Sequence, residues 1–155
     1  MLVSAARHQL FGSLVVFGAL LGFSPVEAAQ SPYDIAIGRA LRLLPRQPEK
    51  VVLVERADGS HLHTGKPRTE AFVNRGGSEV FLVRQGVTLQ AALKGAGIFD
   101  YVLATVIWHE MAHIAGADEA GAQQAEEQLW KEFMLTRRVE SGVGMRYFAL
   151  LQKRR

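Results

Sequence analysis

Trp108-His109-Glu110-Met111-Ala112-His113-Ile114-Ala115-Gly116-Ala117-Asp118-Glu119 is the stretch on which the reading of this chain turns. From Tyr101 to Gly116 the only polar residues are Thr105, His109, Glu110 and His113, apart from the Tyr101 hydroxyl and the Trp108 indole. A helix that is apolar on every side is a buried helix, so this segment is predicted to run through the middle of the domain. Residues four apart share a helical face, which points the imidazoles of His109 and His113 the same way. Two imidazoles and a carboxylate are costly to bury without partners, and a bound dication offsets that cost.

Zinc suits neutral imidazole nitrogen, and a reactive zinc centre commonly takes three protein ligands and leaves a fourth position for water. Glu110 directly follows the first imidazole and can lean toward that water as its proton acceptor. Gly116 lies seven residues after His109 on the same face, where a glycine can end the helix with positive φ and turn the chain back. Glu119 is then the expected third ligand. Asp118 competes for the same role and is equally suited to capping a following helix. Glu126 shares the Glu119 face but lies about 10 Å further along, too far for both to hold one ion. The plainer alternative leaves His109, Glu110 and His113 solvated or hydrogen-bonded near a helix end. There is no cysteine, so any metal is held by His and carboxylate, and neither a disulfide nor a thiol nucleophile is available.

This His-Glu-x-x-His helix and its continuation, over roughly residues 108 to 122, resemble the zincin superfamily of metallopeptidases. The spacing through Gly116 to Glu119 is similar to metzincins, whereas a Glu third ligand followed by Ala122 resembles gluzincins, and the chain matches neither subgroup fully. The resemblance implies an α+β fold: a small zincin-like domain with a short antiparallel or mixed sheet packed on the metal helix and on the helices after it. It also implies zinc-dependent hydrolysis of a peptide or protein substrate, with Glu110 as the catalytic residue and His109, His113 and Glu119 as Zn2+ ligands. An edge strand, here Val80 to Val83, would pair with extended substrate backbone. Tyr147, Arg146 and Tyr101 are available to steady an oxyanion, and Met145 stands where a methionine turn is conceivable although packing is its commoner use. The competing reading is a zincin-fold envelope protein that is catalytically silent and serves as a binding or regulatory module.

Outward from this centre, Ser31-Pro32-Tyr33-Asp34 offers a helix start and the helix is expected to end before Pro45. Val51 to Val54 and Ala71 to Val73 suit strands, the second forming a hairpin with Val80 to Val83 through Asn74 to Ser78. Ala57 to Ser60 suits a turn. Thr88 is a candidate cap for a short helix through Leu93, closed by Gly95-Ala96-Gly97. A helix capped by Asp118 carries Ala122, Ala125, Leu129, Trp130 and Phe133 inward, and a short one spans Met145 to Gln152. His61 and His63 share one side of an extended segment, but the glycines at 59 and 65 suggest a solvated loop.

Arg7 and His8 precede an uncharged run from Leu10 to Phe23, and Val26 and Ala28 then fit the small-residue positions of a cleavage site. Residues 1–28 are therefore expected to be a signal peptide, with residues 30–155 forming one exported domain, periplasmic or extracellular. The run is short for a bilayer span, so no stable membrane span is expected after cleavage, an uncleaved anchor being the weaker option. Loss of residues 1–28 removes one base and one acid and leaves the net charge at +3. That charge is scattered apart from Lys153, Arg154 and Arg155, which argues against a nucleic-acid partner.

Overall fold

A computed structural model of the chain describes residues 30–55, 70–95 and 97–152. The expected signal segment, the turn at 57–60, His61, His63, Ala96 and the basic tail at 153–155 lie outside these residues. Among the described residues the architecture is α+β, five helices and a three-stranded mixed sheet, in the order α1 (Pro32–Leu41), β1 (Lys50–Val54), β2 (Ala71–Val73), β3 (Glu79–Val83), α2 (Val87–Leu93), α3 (Ile98–Ile114), α4 (Glu119–Leu135) and α5 (Ser141–Gln152).

Ser31 Oγ accepts the Asp34 N–H at 3.2 Å while the Asp34 carboxylate accepts the Ser31 N–H at 3.1 Å, a capping box that starts α1 with Pro32 in its first turn. Arg39 of this helix ties three helices together. Its Nε donates to Asp100 of α3 at 2.8 Å and its Nη2 donates to the Ala92 carbonyl near the end of α2 at 2.7 Å.

The strand order is β1-β3-β2, with β1 parallel and β2 antiparallel to β3. The expected hairpin joins β2 to β3: Phe72 lies opposite Phe81 with rings stacked at 5.0 Å, and the Gly77 N–H donates to the Asn74 carbonyl at 2.8 Å beside Gly76 at φ 74°. One expectation needs correction, because Val80 to Val83 is no edge strand. Val80, Leu82 and Val83 are buried, and β1 and β2 take up the backbone groups on both sides of them, as a strand shielded from water requires. Thr88 also differs from expectation. Gly86 is the N-cap of α2, Thr88 sits inside the first turn, and its backbone N–H donates to the Glu70 carboxylate at 3.3 Å.

Leu103 and Ile107 of α3 join Val80 and Leu82 of β3 and Trp130 and Phe133 of α4 in one apolar core. The last helix starts four residues before the expected Met145. Gly142 and Gly144 lower its helix propensity, but a Cβ at Gly144 would lie 2.7 Å from the Met134 side chain, so the glycine is what lets α5 approach α4. The Gly144 carbonyl then accepts the Trp130 indole N–H at 2.9 Å. No helix among the described residues is long and apolar enough to cross a membrane.

Candidate metal centre

The end of α3 is closed by local chemistry. With Gly116 at φ 92°, the Ala117 N–H donates to the Ala112 carbonyl at 3.0 Å and the Gly116 N–H to the His113 carbonyl at 2.9 Å. This pair of bonds is a Schellman motif, and the positive φ it requires is the conformation glycine adopts without steric cost. Directly after it, Asp118 Oδ1 accepts the Gly121 N–H at 2.8 Å and starts α4. Asp118 is thus occupied as a cap, and Glu119, the first residue of α4, is the one turned back toward the imidazoles.

The side chains meet as the spacing predicts. His109 Nε2 and His113 Nε2 are 3.2 Å apart, and Glu119 Oε2 lies 3.8 Å from the first and 3.5 Å from the second. The outer contacts say which atoms carry protons. His113 Nδ1 faces the Ala117 carbonyl at 3.0 Å, and a carbonyl only accepts, so in the neutral ring the proton sits on Nδ1 and Nε2 keeps its lone pair. His109 Nδ1 faces the Glu126 carboxylate, with Oε2 at 3.4 Å, which favours the same tautomer. Gln123 donates to the other oxygen of Glu119, Oε1, at 3.0 Å. With both rings neutral and protonated at Nδ1, two imidazole lone pairs and one carboxylate oxygen converge. The triangle they form, with sides of 3.2, 3.5 and 3.8 Å, is small enough for the three atoms to share one metal ion. His109, His113 and Glu119 could hold one such ion.

Glu110 sits beside this group with its residue only 8 % exposed. Burial pushes its carboxyl above the usual carboxylate range; His109 and His113 oppose that shift, and Glu119 and Glu126 reinforce it. For His109, burial works against the charged ring, yet the facing Glu126 together with Glu110 and Glu119 outweighs it and raises the imidazole above its ordinary value. A cluster whose protonation is displaced in this way is suited to proton transfer or to cation binding.

For Glu126, sequence reasoning weighed only ligation and left out a contact with His109. From two turns further along α4 than Glu119, Glu126 Oε2 lies 3.4 Å from the outer nitrogen of His109. The Tyr147 hydroxyl donates to its Oε1 at 3.5 Å. The signal was partial: the buried face of α4 consists of Ala122, Glu126, Glu127, Leu129, Trp130 and Phe133, two carboxylates among apolar residues. Of the other candidates, Tyr101 packs edge-on against Phe133, Arg146 is exposed, and Met145 is 57 % exposed on α5, unlike a residue packed beneath the site.

Comparison with protein families, curated proteins and solved structures finds no match to this chain.

Proposed function

We propose that the protein is a small exported zinc metallopeptidase of zincin-like fold that hydrolyses peptide bonds, with Glu110 as its proton-transfer residue. The observation that carries this reading is the convergence of His109 Nε2, His113 Nε2 and Glu119 Oε2 within 3.8 Å of one another beside a buried carboxylate.

His109, His113 and Glu119 would hold the ion, and zinc bound there supplies Lewis acidity toward a water and toward the scissile carbonyl. The Ala117 carbonyl keeps the His113 proton on its outer nitrogen, Glu126 faces the outer nitrogen of His109, and Gln123 steadies the free oxygen of Glu119. Glu110 takes a proton from the attacking water at a carboxylate oxygen. The same group then delivers it to the leaving amine nitrogen, so one water is consumed and an acid and an amine are released. A carboxyl raised by burial suits both halves of this exchange, because its proton affinity moves toward the working pH.

The test is metal content by elemental mass spectrometry together with cleavage of a mixed fluorogenic peptide library. Zinc near one per chain in the wild type, lost in His113→Ala and in Glu119→Ala, is the expected result. Glu110→Gln should keep its zinc and lose at least about 100-fold in cleavage rate. A wild type that takes up no metal overturns the proposal. Zinc without cleavage leaves a binding module. Export is read from the N-terminus of the protein recovered outside the cytoplasm, expected near Gln30; a chain still beginning at Met1 would refute cleavage.

A further inference from the structure

Lys and Arg are spread along the whole sequence, yet residues 131–155 hold seven of them against two Glu, whereas residues 1–130 hold 11 against 13 Asp and Glu. The net charge of +3 is thus +5 here and −2 elsewhere. Three of the five exposed large apolar side chains among the described residues lie in the same stretch: Leu135, 83 % exposed, Met145, 57 %, and Leu150, 55 %. The packing of α5 on α4 joins them into one surface. Lys131 Nζ of α4 lies 5.2 Å over the Phe148 ring of α5, and Leu135 is one turn beyond Lys131 on the same face of its helix. Phe148 flanks Met145, three residues before it, and Met145 shares its face with Ala149, beside the Arg146–Leu150 pair.

The turn between the two helices adds a second observation. Arg137 has φ 55° and is the only non-glycine residue with positive φ among the described residues. The Arg138 N–H donates to the Phe133 carbonyl at 3.0 Å and the Arg137 N–H to the Met134 carbonyl at 3.1 Å, the same helix stop that Gly116 makes after α3 without steric cost. Nothing inside the fold repays an arginine there. Among the described residues no hydrogen bond or ion pair holds the guanidinium groups of Arg137, Arg138 or Arg146, whereas Arg39, Lys50 and Arg84 each pair with a carboxylate. A strained, unpaired cation beside exposed leucine and methionine points to a counterpart outside the fold.

We propose that this face, Leu135, Arg137, Arg138, Met145, Arg146 and Leu150, docks peripherally on an anionic phospholipid surface. The apolar side chains enter the boundary between headgroups and acyl chains, and the arginines pair with lipid phosphates. Exposed Glu132 and Glu140 are the acids of this region, too few to cancel its bases, so the attraction is to negative charge. A bilayer fits better than an acidic protein because the apolar side chains stand singly along the outward face of α5. A fluid acyl boundary takes them one by one, while a protein would need a hollow for each. The reading is independent of the hydrolytic one.

The test is co-sedimentation of the full chain with vesicles of phosphatidylcholine alone and of phosphatidylcholine with phosphatidylglycerol in equal parts. The run from Leu10 to Phe23 carries no charge, so the ratio of the two affinities reports the basic face. Binding to the mixed vesicles should be at least about 30-fold tighter and should weaken steeply as salt is raised. Arg137→Gly should lose about fivefold on the mixed vesicles, the effect of one base near the surface, while its Tm holds or rises because the strain is gone. Arg138→Glu with Arg146→Glu should lose at least about 100-fold, and circular dichroism reports whether each variant is folded. A local readout uses the absence of native cysteine: an environment-sensitive dye on Leu135→Cys should shift to the blue on mixed vesicles and not on neutral ones. Equal affinity for both vesicle types with the dye unmoved would overturn the proposal. So would mixed-vesicle binding that Leu135→Gln with Met145→Gln leaves intact and that soluble poly-glutamate matches, which would put an acidic protein in place of the bilayer.

Discussion

Replacing Glu126 by Gln isolates the outer partner of His109 without changing the shape of the side chain. The carboxylate faces His109 Nδ1 with Oε2 at 3.4 Å, and the side chains of the two residues are only 5 % and 15 % exposed, so little water screens the contact. Loss of such a partner commonly weakens metal binding 10- to 100-fold. With this degree of burial the upper part of that range is expected, about 30- to 100-fold, or about 2–3 kcal/mol. The same substitution removes the chief partner of protonated His109, so the metal-free fold should lose stability below about pH 6.5 and little well above it. Zinc affinity is measured by competition with a chelating dye at pH about 8, above the ordinary imidazole range, and thermal unfolding of the metal-free protein is followed in parallel. Tyr147→Phe is the graded control. It removes a long, 3.5 Å contact to the other Glu126 oxygen and should change affinity by less than about threefold. Zinc affinity in Glu126→Gln within about twofold of wild type would refute the claim that this carboxylate sets the tautomer and basicity of His109.

Gly116→Ala should cost about 1–2 kcal/mol in urea unfolding, because φ is 92° there while an added Cβ would meet nothing within 4 Å, leaving backbone strain as the whole effect. Gly116→Asn should cost less, and an alanine variant as stable as wild type would sink the argument. Stability of the metal-free protein should also depend on pH in a defined direction. His109 and Glu110 both have raised pKa values in the folded chain, so the folded state holds more protons than the unfolded one; stability then falls as pH rises from about 4.5 through and above about 6.5. Zinc requires neutral imidazoles, so the gain in Tm on adding zinc should grow across that window. Thermal scans at four pH values, with and without zinc, check both, and a metal-free Tm that climbs across the window contradicts the reasoning.

What could be read from sequence here follows from how local each feature is. The buried helix, the shared face of His109 and His113, the stop at Gly116 and the cap at Asp118 each depend on residues within a turn or two of one another, and each is found where the spacing places it. The α1 capping box and the β2–β3 hairpin belong to the same class. The choice of Glu119 over Asp118 at the imidazoles was open in sequence, because both residues follow the turn and either carboxylate is chemically suitable. It is decided by the path of the chain through the Schellman turn, which commits Asp118 to the Gly121 N–H. Glu126 was visible as a carboxylate among apolar residues, yet its partner lies 17 positions away on another helix, and no helical period relates the two. The centre of the sheet went to Val80–Val83 for a similar reason. Pairing with β1 is a contact between segments distant in sequence, and strand composition alone does not say which run will have both its edges covered. Sequence by itself determined which side chains gather on each element, because backbone period and turn chemistry are local; tertiary structure alone decided which elements meet, because that depends on burying the apolar faces of distant segments against one another.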